Sequence, residues 1–380
     1  MRIYSGAGVN DVYATLINDC MEAGADVPIL RKGAAANMTK EIHPAIITLD
    51  DPTARLVTSY GRPVNVAFAL AEVLWILNGR EDVGMLAAYN SQISNYSDDG
   101  VVFNAAYGAR LRRSHHVDQL EDIVTTLRND PSSRQAVMAI WHPAKDKGWM
   151  TTLRGEFVRL SGDHESGPIP RQTKDRACNL LSHAMIRDGK LDWLQVQRSN
   201  DALWGTPYNW IQWTYVMEFV AQQVGVRLGQ FVHFANSLHV YEHQFEEART
   251  IEPFDIYHWM GEHDSTGFSD QAALEAVLPV EMNIRDGGNF GQGTLPTLWQ
   301  TACCLWMAHR LYKAKNDIAT YSVMMEGHDR VYVAAQLRFY WHWRWHTGRS
   351  TVSETIRENI IRDFPPEVAA WIQGDLLPDG

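Results

Sequence analysis

Several features are scarce in this 380-residue chain, and each scarcity closes off a class of explanation. There are only four cysteines, two of them adjacent at Cys303 and Cys304, which is no basis for a disulfide framework. Reduced thiols in a cytoplasmic protein are the simplest expectation. No apolar run approaches the roughly eighteen residues that suggest a membrane span. The opening Met1-Arg2-Ile3-Tyr4 lacks the apolar core of a secretory signal. Basic residues are in the minority, with 34 Lys and Arg against 45 Asp and Glu and a net charge of −11. A nucleic-acid polymer is therefore not the expected main partner, because that role leaves a basic footprint. One nucleotide phosphate needs only a few local arginines and stays compatible with the charge.

What is present is an ordinary globular composition, 45% hydrophobic and 21% charged, with an unusual fourteen tryptophans. The length allows one elaborate domain or two small ones. The tryptophans suggest broad flat surfaces in the core or at a subunit contact. Helical spacing of Val12, Leu16, Ile17 and Cys20 predicts a first helix over residues 11–25. A strand is expected over 42–49, an apolar helix over 64–77 closed by Asn78-Gly79, an amphipathic helix over 117–127, and strands over 136–141 and near 231–234. Residues 142–176, rich in Lys, Asp, Gly and Pro, read as a surface excursion.

Two places carry chemistry. Glu72 stands inside the apolar helix between Ala71 and Val73-Leu74-Trp75. A carboxylate in such company is costly unless it is paired or protonated. It is either one half of a structural ion pair or, with its pKa raised by burial, an acid–base group. The second place is the stretch from Cys178 to Tyr241. It contains Arg176-Ala177-Cys178-Asn179, then Gln197-Arg198-Ser199-Asn200-Asp201, then Gly205-Thr206-Pro207-Tyr208-Asn209, and closes with Ser237-Leu238-His239-Val240-Tyr241. A lone cysteine is usually a small buried hydrophobe. Cys178 gains interest because Arg198, twenty residues on, is a cation able to favour a thiolate. His239 and Tyr241 would face one side of a strand. Asn209 stands where a long apolar helix is expected to begin, so an N-cap role is open to it.

The order and spacing of these groups resemble the thymidylate synthase and pyrimidine nucleotide hydroxymethylase family over about residues 10–250. That resemblance implies an α+β fold with a mixed β-sheet, helices packed on one face, and a homodimer formed through the sheets. It divides the chain into a catalytic domain over 1–255, with an insertion at 142–176, and a divergent helical extension over 256–380 packed on the same domain. It implies that Cys178 attacks C6 of a uracil nucleotide and that 5,10-methylenetetrahydrofolate donates one carbon to C5, with no metal. By the same resemblance Glu72 organises water and proton transfer, and Arg198 serves both thiolate and phosphate. Arg31, Ser199 and, from the partner subunit, Arg134 would contact phosphate. Asp201 would lie between nucleotide and folate beside Gly205, and His239 and Tyr241 would hold the sugar hydroxyl. Asn209 implies uracil, since its amide can donate to O4 and accept from N3–H.

The chain departs from the family pattern at several points. Gln135 replaces a second arginine, Asn179 a histidine and Ser237 an aspartate. Ser94 to Tyr96 occupy the place of a folate-packing aromatic, and no closing tail is recognisable in Leu376-Leu377-Pro378-Asp379-Gly380. Without that tail and aromatic to close the site, the expected outcome is water quenching the one-carbon unit to 5-hydroxymethyl-dUMP; the alternative is a closed site giving dTMP by reductive methylation. Rival readings are a non-catalytic nucleotide-binding descendant and a zinc hydrolase using His239 and His243 in His-x-x-Glu-His, which needs both rings on one helical face.

Overall fold

The computed structural model describes residues 1–29, 37–147, 149–151, 157–159, 173–260, 271–290, 295–345 and 351–374. Chain order begins β1 (Arg2–Gly6), α1 (Asn10–Ala23), β2 (Ala25–Ile29), β3 (Asn37–Ile42), β4 (Ala45–Leu49) and α2 (Val66–Leu77). It continues through α3 (Val83–Tyr89), α4 (Tyr107–Arg112), α5 (Gln119–Asn129), β5 (Val137–Ala139), α6 (Pro143–Lys147), β6 (Trp149–Thr151) and β7 (Phe157–Arg159). The central part is β8 (Asn179–Arg187), β9 (Lys190–Gln197), β10 (Asn200–Asp201), α7 (Gly205–Val224), β11 (Arg227–Ala235), β12 (Leu238–Tyr241) and α8 (Phe245–Ala248).

A six-stranded mixed sheet runs β1-β4-β11-β9-β8-β5, and a smaller four-stranded sheet runs β10-β12-β3-β2. The single strand expected over 42–49 is in fact two, β3 and β4, which separate at His43-Pro44 and enter different sheets. Proline has no N–H to continue a ladder, so the change of sheet falls there.

Strand alternation explains where the core sits. On β8, β9 and β11 the residues Ser182, Ala184, Trp193, Gln195 and His233 are buried under α7, whose Trp210 indole donates to His233 Nδ1 at 3.2 Å. The opposite face carries Ile46, Leu181, Leu194, Val196, Val232 and Phe234, all half-buried in the single chain. Helices thus cover one face of the sheet and leave an apolar second face, the α+β arrangement expected from the sequence.

The helix α2 forms because Val66–Leu77 is apolar all round, and Asn65 caps it by accepting from Phe68 N at 3.2 Å. Every residue of α2 is buried except Glu72, which is half-buried. The helix α7 begins at Gly205, a turn earlier than expected, so Asn209 lies inside it and is not its N-cap. Its far end is closed by Gly225 at φ 84°, a left-handed conformation that glycine adopts without a Cβ penalty.

The remaining helices are α9 (Ile256–Met260), α10 (Gln271–Arg285), α11 (Thr297–Lys313), α12 (Asp317–Met324), α13 (Arg330–Trp343), α14 (Thr351–Asp363) and α15 (Pro366–Gln373). They pack on α2 and its surroundings through buried polar fasteners. Gln336 accepts from Ala67 N at 2.8 Å, the Trp306 indole donates to Ala67 O at 2.9 Å, and the Trp371 indole donates to Thr58 O at 2.7 Å. Ala67 N is one of the first-turn donors that a helix leaves without an internal partner, and α13 supplies that partner. Among the described residues, no helix is long and apolar enough to cross a membrane.

Candidate active site

Cys178 sits at the mouth of β8, where the pairing with β9 slips between Asn179 and Leu181. Such an irregularity re-aims the chain at a sheet edge. Arg198, just past the end of β9, reaches back to it. Its Nε donates to Ala177 O at 2.9 Å and its Nη2 lies 3.8 Å from the Cys178 Sγ. The guanidinium also faces the Trp141 ring at 5.9 Å. Arg198 was expected to favour the thiolate, and it does pull in that direction. Burial nevertheless outweighs it, with help from the charges of Asp175, Asp201 and Asp146, and the thiol stands above its ordinary range. In the free protein Cys178 is therefore a thiol held beside a cation.

A set of buried polar groups surrounds this corner. Asn179 Oδ1 accepts from Gln195 Nε2 at 2.7 Å and Gln197 Nε2 at 2.8 Å, while Gln195 Oε1 accepts from Ser182 Oγ at 2.6 Å. The Asn179 Nδ2 and Gln197 Oε1 atoms are buried and have no hydrogen-bond partner among the described residues. The Tyr107 hydroxyl lies against Cys178 and Asn179. Behind Cys178, Asp146 Oδ1 accepts from Ala177 N at 2.8 Å and pairs with the fully buried Arg110 at 3.3 Å. That pair ties α6, and with it the start of the 142–176 excursion, to the residue before the thiol.

Glu72 projects from α2 toward Gln212 of α7. Burial pushes its carboxyl up to about 8, opposed only in part by Gln212. Its Oε2 is buried without a partner among the described residues, as is Gln212 Oε1. The ion-pair explanation of Glu72 therefore fails, since no cation meets it among the described residues. Asn209 is one turn before Gln212 on the same helix face, so Glu72 and Asn209 address one region. Asn209 Nδ2 donates to Asn200 Oδ1 at 3.0 Å, and Asn200 Nδ2 donates to Thr206 Oγ1 at 2.7 Å.

Asp201 accepts from Leu203 N at 2.9 Å and Trp204 N at 2.8 Å, placing a carboxylate at the start of α7 where the helix dipole favours it. Its other oxygen accepts from Gln244 Nε2 at 2.9 Å. Gly205 fits tightly here, because a Cβ would stand 3.3 Å from Asp201 Cβ. His239 lies near Asp201 on β12; burial pushes its pKa down, and its Nε2 is buried without a partner. Its Nδ1 is 3.2 Å from Ser237 Oγ, which donates in turn to Glu41. Glu41 on the neighbouring strand thus supplies a carboxylate where Ser237 itself has none. The Tyr241 ring stands edge-on to His239 at 4.8 Å. Ser199 is half-buried beside Arg198.

Cys178, Arg198, Asp201, Asn209 and His239 are thus joined by bonds or close charges, with Glu72 reaching the same helix face as Asn209. Arg134 is exposed at the start of β5, and among the described residues no bond from its guanidinium reaches this group. Arg31 lies outside the described residues. Sequence reasoning gave no site role to Tyr107, Gln197, Gln212 or Glu41, which reach the site only through tertiary contacts. The zinc-hydrolase geometry does not form. His239 is on a strand and His243 is in the following turn, and no group of three His, Cys, Asp or Glu among the described residues is placed to hold a metal.

Residues 11–252 match the family described as thymidylate synthase. The chain belongs to the thymidylate synthase family. It is 37% identical over 268 residues to the "Deoxyuridylate hydroxymethyltransferase" of Bacillus phage SP01, a match covering 68% of this chain and 63% of that protein. It is 34% identical over 294 residues to the "Deoxyuridylate hydroxymethyltransferase" of Pseudomonas phage M6, covering 74% of this chain and 77% of that one. The chain therefore spans less than two thirds of the SP01 relative's length. A thermostable thymidylate synthase A from Bacillus subtilis aligns structurally over 65% of this chain and 85% of its own, with a TM-score of 0.48 and 22% identity.

Proposed function

We propose that this member of the thymidylate synthase family is a deoxyuridylate hydroxymethyltransferase, converting dUMP to 5-hydroxymethyl-dUMP. The observation that carries the reading is the thiol of Cys178 held 3.8 Å from the Arg198 guanidinium, on the corner ringed by unpartnered buried polar atoms. Buried polar groups without partners are costly, so a ligand or ordered water that completes them is favoured. Both phage relatives carry the name of this activity, which supports the choice of product.

The residues divide the chemistry as follows. The Cys178 thiolate forms a bond to C6, and the ring electron pair moves toward O4, which Asn209 holds by donation from its amide. C5 then carries the nucleophilic character that the free pyrimidine lacks. The folate, when bound, supplies 5,10-methylene carbon at the oxidation level of formaldehyde. C5 bonds to that carbon and loses its own proton to solvent, and the bond from the carbon to the folate nitrogen breaks, leaving an exocyclic methylene on C5. Water adds to this methylene, its lone pair forming the C–O bond while the π pair returns to the ring. The released proton goes to Glu72, and collapse of the ring enolate expels Cys178. No hydride is consumed, so tetrahydrofolate leaves unoxidised. A carboxyl at about 8 can take and return protons near neutrality, which suits Glu72 to this work.

For binding, we assign the phosphate to Arg31, Arg198, Ser199 and the partner subunit's copy of Arg134, and the sugar hydroxyl to His239 and Tyr241. Asp201 and Gly205 border the folate, and the Trp204 indole, 42% exposed beside them, offers a flat surface that fits an aromatic ring system. The half-buried apolar face of the main sheet supports a homodimer, because a face of six apolar side chains is a poor solvent surface. Residues 1–255 are the catalytic unit, and 256–380 an extension that braces it. A cytoplasmic location fits the reduced thiols.

The reading is tested by incubating the protein with dUMP and methylenetetrahydrofolate and following both products. Tetrahydrofolate formed in step with 5-hydroxymethyl-dUMP supports it. Dihydrofolate formed in step with dTMP would replace it by thymidylate synthesis.

A further inference from the structure

Asn209 is half-exposed toward the site, whereas Asn200 and Thr206 beneath it are buried, at 2% and 0% exposure. The three side chains form a directed chain. The Thr206 hydroxyl donates to the Asp201 carbonyl at 3.1 Å. A backbone carbonyl can only accept, so the one hydroxyl proton is committed there. Thr206 Oγ1 is then able only to accept, and Asn200 must turn its NH2 toward it, at 2.7 Å. That fixes Asn200 Oδ1 on the other side, facing Asn209 at 3.0 Å, where it can only accept. Asn209 must therefore present its NH2 to Asn200, and the orientation of its amide is set by a carbonyl three bonds away.

We propose that Thr206 and Asn200 are positioning residues that select uracil over cytosine by locking the amide of Asn209. An asparagine free to turn over could offer either edge: donor to O4 and acceptor from N3–H for uracil, or the reverse for cytosine. With the amide locked, a flipped Asn209 would set its oxygen against Asn200 Oδ1, two acceptors with no proton between them. The penalty falls on cytosine alone.

This inference rests on the assignment of Asn209 to the pyrimidine edge, and its test separates the two. Binding of dUMP and of dCMP is measured by calorimetry, without folate, on the wild type and on Thr206→Val, Thr206→Ser and Asn200→Ser. Thr206→Val keeps the shape and removes the hydroxyl. Wild type should prefer dUMP. Thr206→Val and Asn200→Ser should each lower the preference by about tenfold, mainly by gaining affinity for dCMP. Thr206→Ser should restore it, because the hydroxyl is back. A merely structural role would weaken both nucleotides together. Folding of each variant is checked by thermal melting. If only one of the two breaking variants folds, that one carries the test. Unchanged preference in a folded breaking variant would overturn the lock. Absence of dUMP binding in the wild type would instead overturn the assignment of Asn209.

Discussion

Two sides of α2 and α7 face very different company. Toward the sheet, Glu72 Oε2, Asn179 Nδ2, Gln197 Oε1, Gln212 Oε1 and His239 Nε2 are buried and have no hydrogen-bond partner among the described residues. Toward the C-terminal helices, Ala67 N and Ala67 O of the same α2 are both bonded, to Gln336 and Trp306, and Tyr215 of α7 meets Tyr332 at 2.7 Å. The second, fastened side also keeps unpartnered atoms, Gln336 Nε2 among them, but it bonds the backbone of α2, whereas on the first, open side no cation meets Glu72 among the described residues. α2 is thus held from behind while Glu72 stays costly in front. A carboxyl pushed up to about 8 by burial would relax toward solvent if its helix were free to move.

The sharpest break of this comparison is on the open side. Cys178→Ser should lose nearly all turnover while still binding nucleotide, because an alcohol is far less acidic than a thiol. Steady-state assay and nucleotide calorimetry read the two effects separately. Next in size, Asn209→Asp should shift the preference from dUMP toward dCMP, since a site built for one hydrogen-bond pattern leaves buried groups unpaired with the other. Competition between the two nucleotides checks it.

A substitution on the bare sheet face comes third. Val196→Asp should shift the protein from dimer to monomer in sedimentation, because a carboxylate would have to lose its water in the centre of that face. Hybrids of Arg134→Ala and Cys178→Ser subunits should recover part of the activity that each lacks alone.

Glu72 allows a sign to be worked out. Its pKa is raised on folding from an ordinary 4.5 to about 8, so between these values the folded protein holds a proton that the unfolded chain has lost. Stability from this group is full at low pH and falls as pH rises through about 8. Glu72→Gln should remove that decline in melts taken across the window, and should remove the matching limb from the activity profile. The smallest effect belongs to the fastened side. Gln336→Leu should cost about 1–3 kcal/mol by leaving Ala67 N without its partner. Denaturant unfolding measures it, with the chemistry otherwise intact.

Much of the open side was legible in the sequence because its residues come in short runs. Cys178, Arg198, Asp201 and Asn209 sit in consecutive motifs, and the apolar surroundings of Glu72 were visible in its own helix. The mixed sheet and its one covered face followed from the family resemblance. Boundaries were less legible. Asn209 looked like a helix start, yet α7 opens at Gly205, directly after the turn in which Asp201 binds the N–H groups of Leu203 and Trp204. The strand over 42–49 was divided at Pro44, a break the sequence does carry, but which sheet each half joins is not encoded locally. The thiol's raised pKa was also missed, since nearness to Arg198 can be guessed from spacing but burial cannot. The fasteners were the least legible of all. Gln336 reaches Ala67 across 269 residues, and nothing in either neighbourhood signals the other.

If the open side completes itself with water, that water enters the product. Turnover of dUMP and methylenetetrahydrofolate in water enriched in heavy oxygen tests this directly, with the nucleotide product analysed by mass. The account predicts 5-hydroxymethyl-dUMP carrying the heavy oxygen on its new carbon, alongside tetrahydrofolate. A product that takes up no solvent oxygen, dTMP accompanied by dihydrofolate, would contradict it.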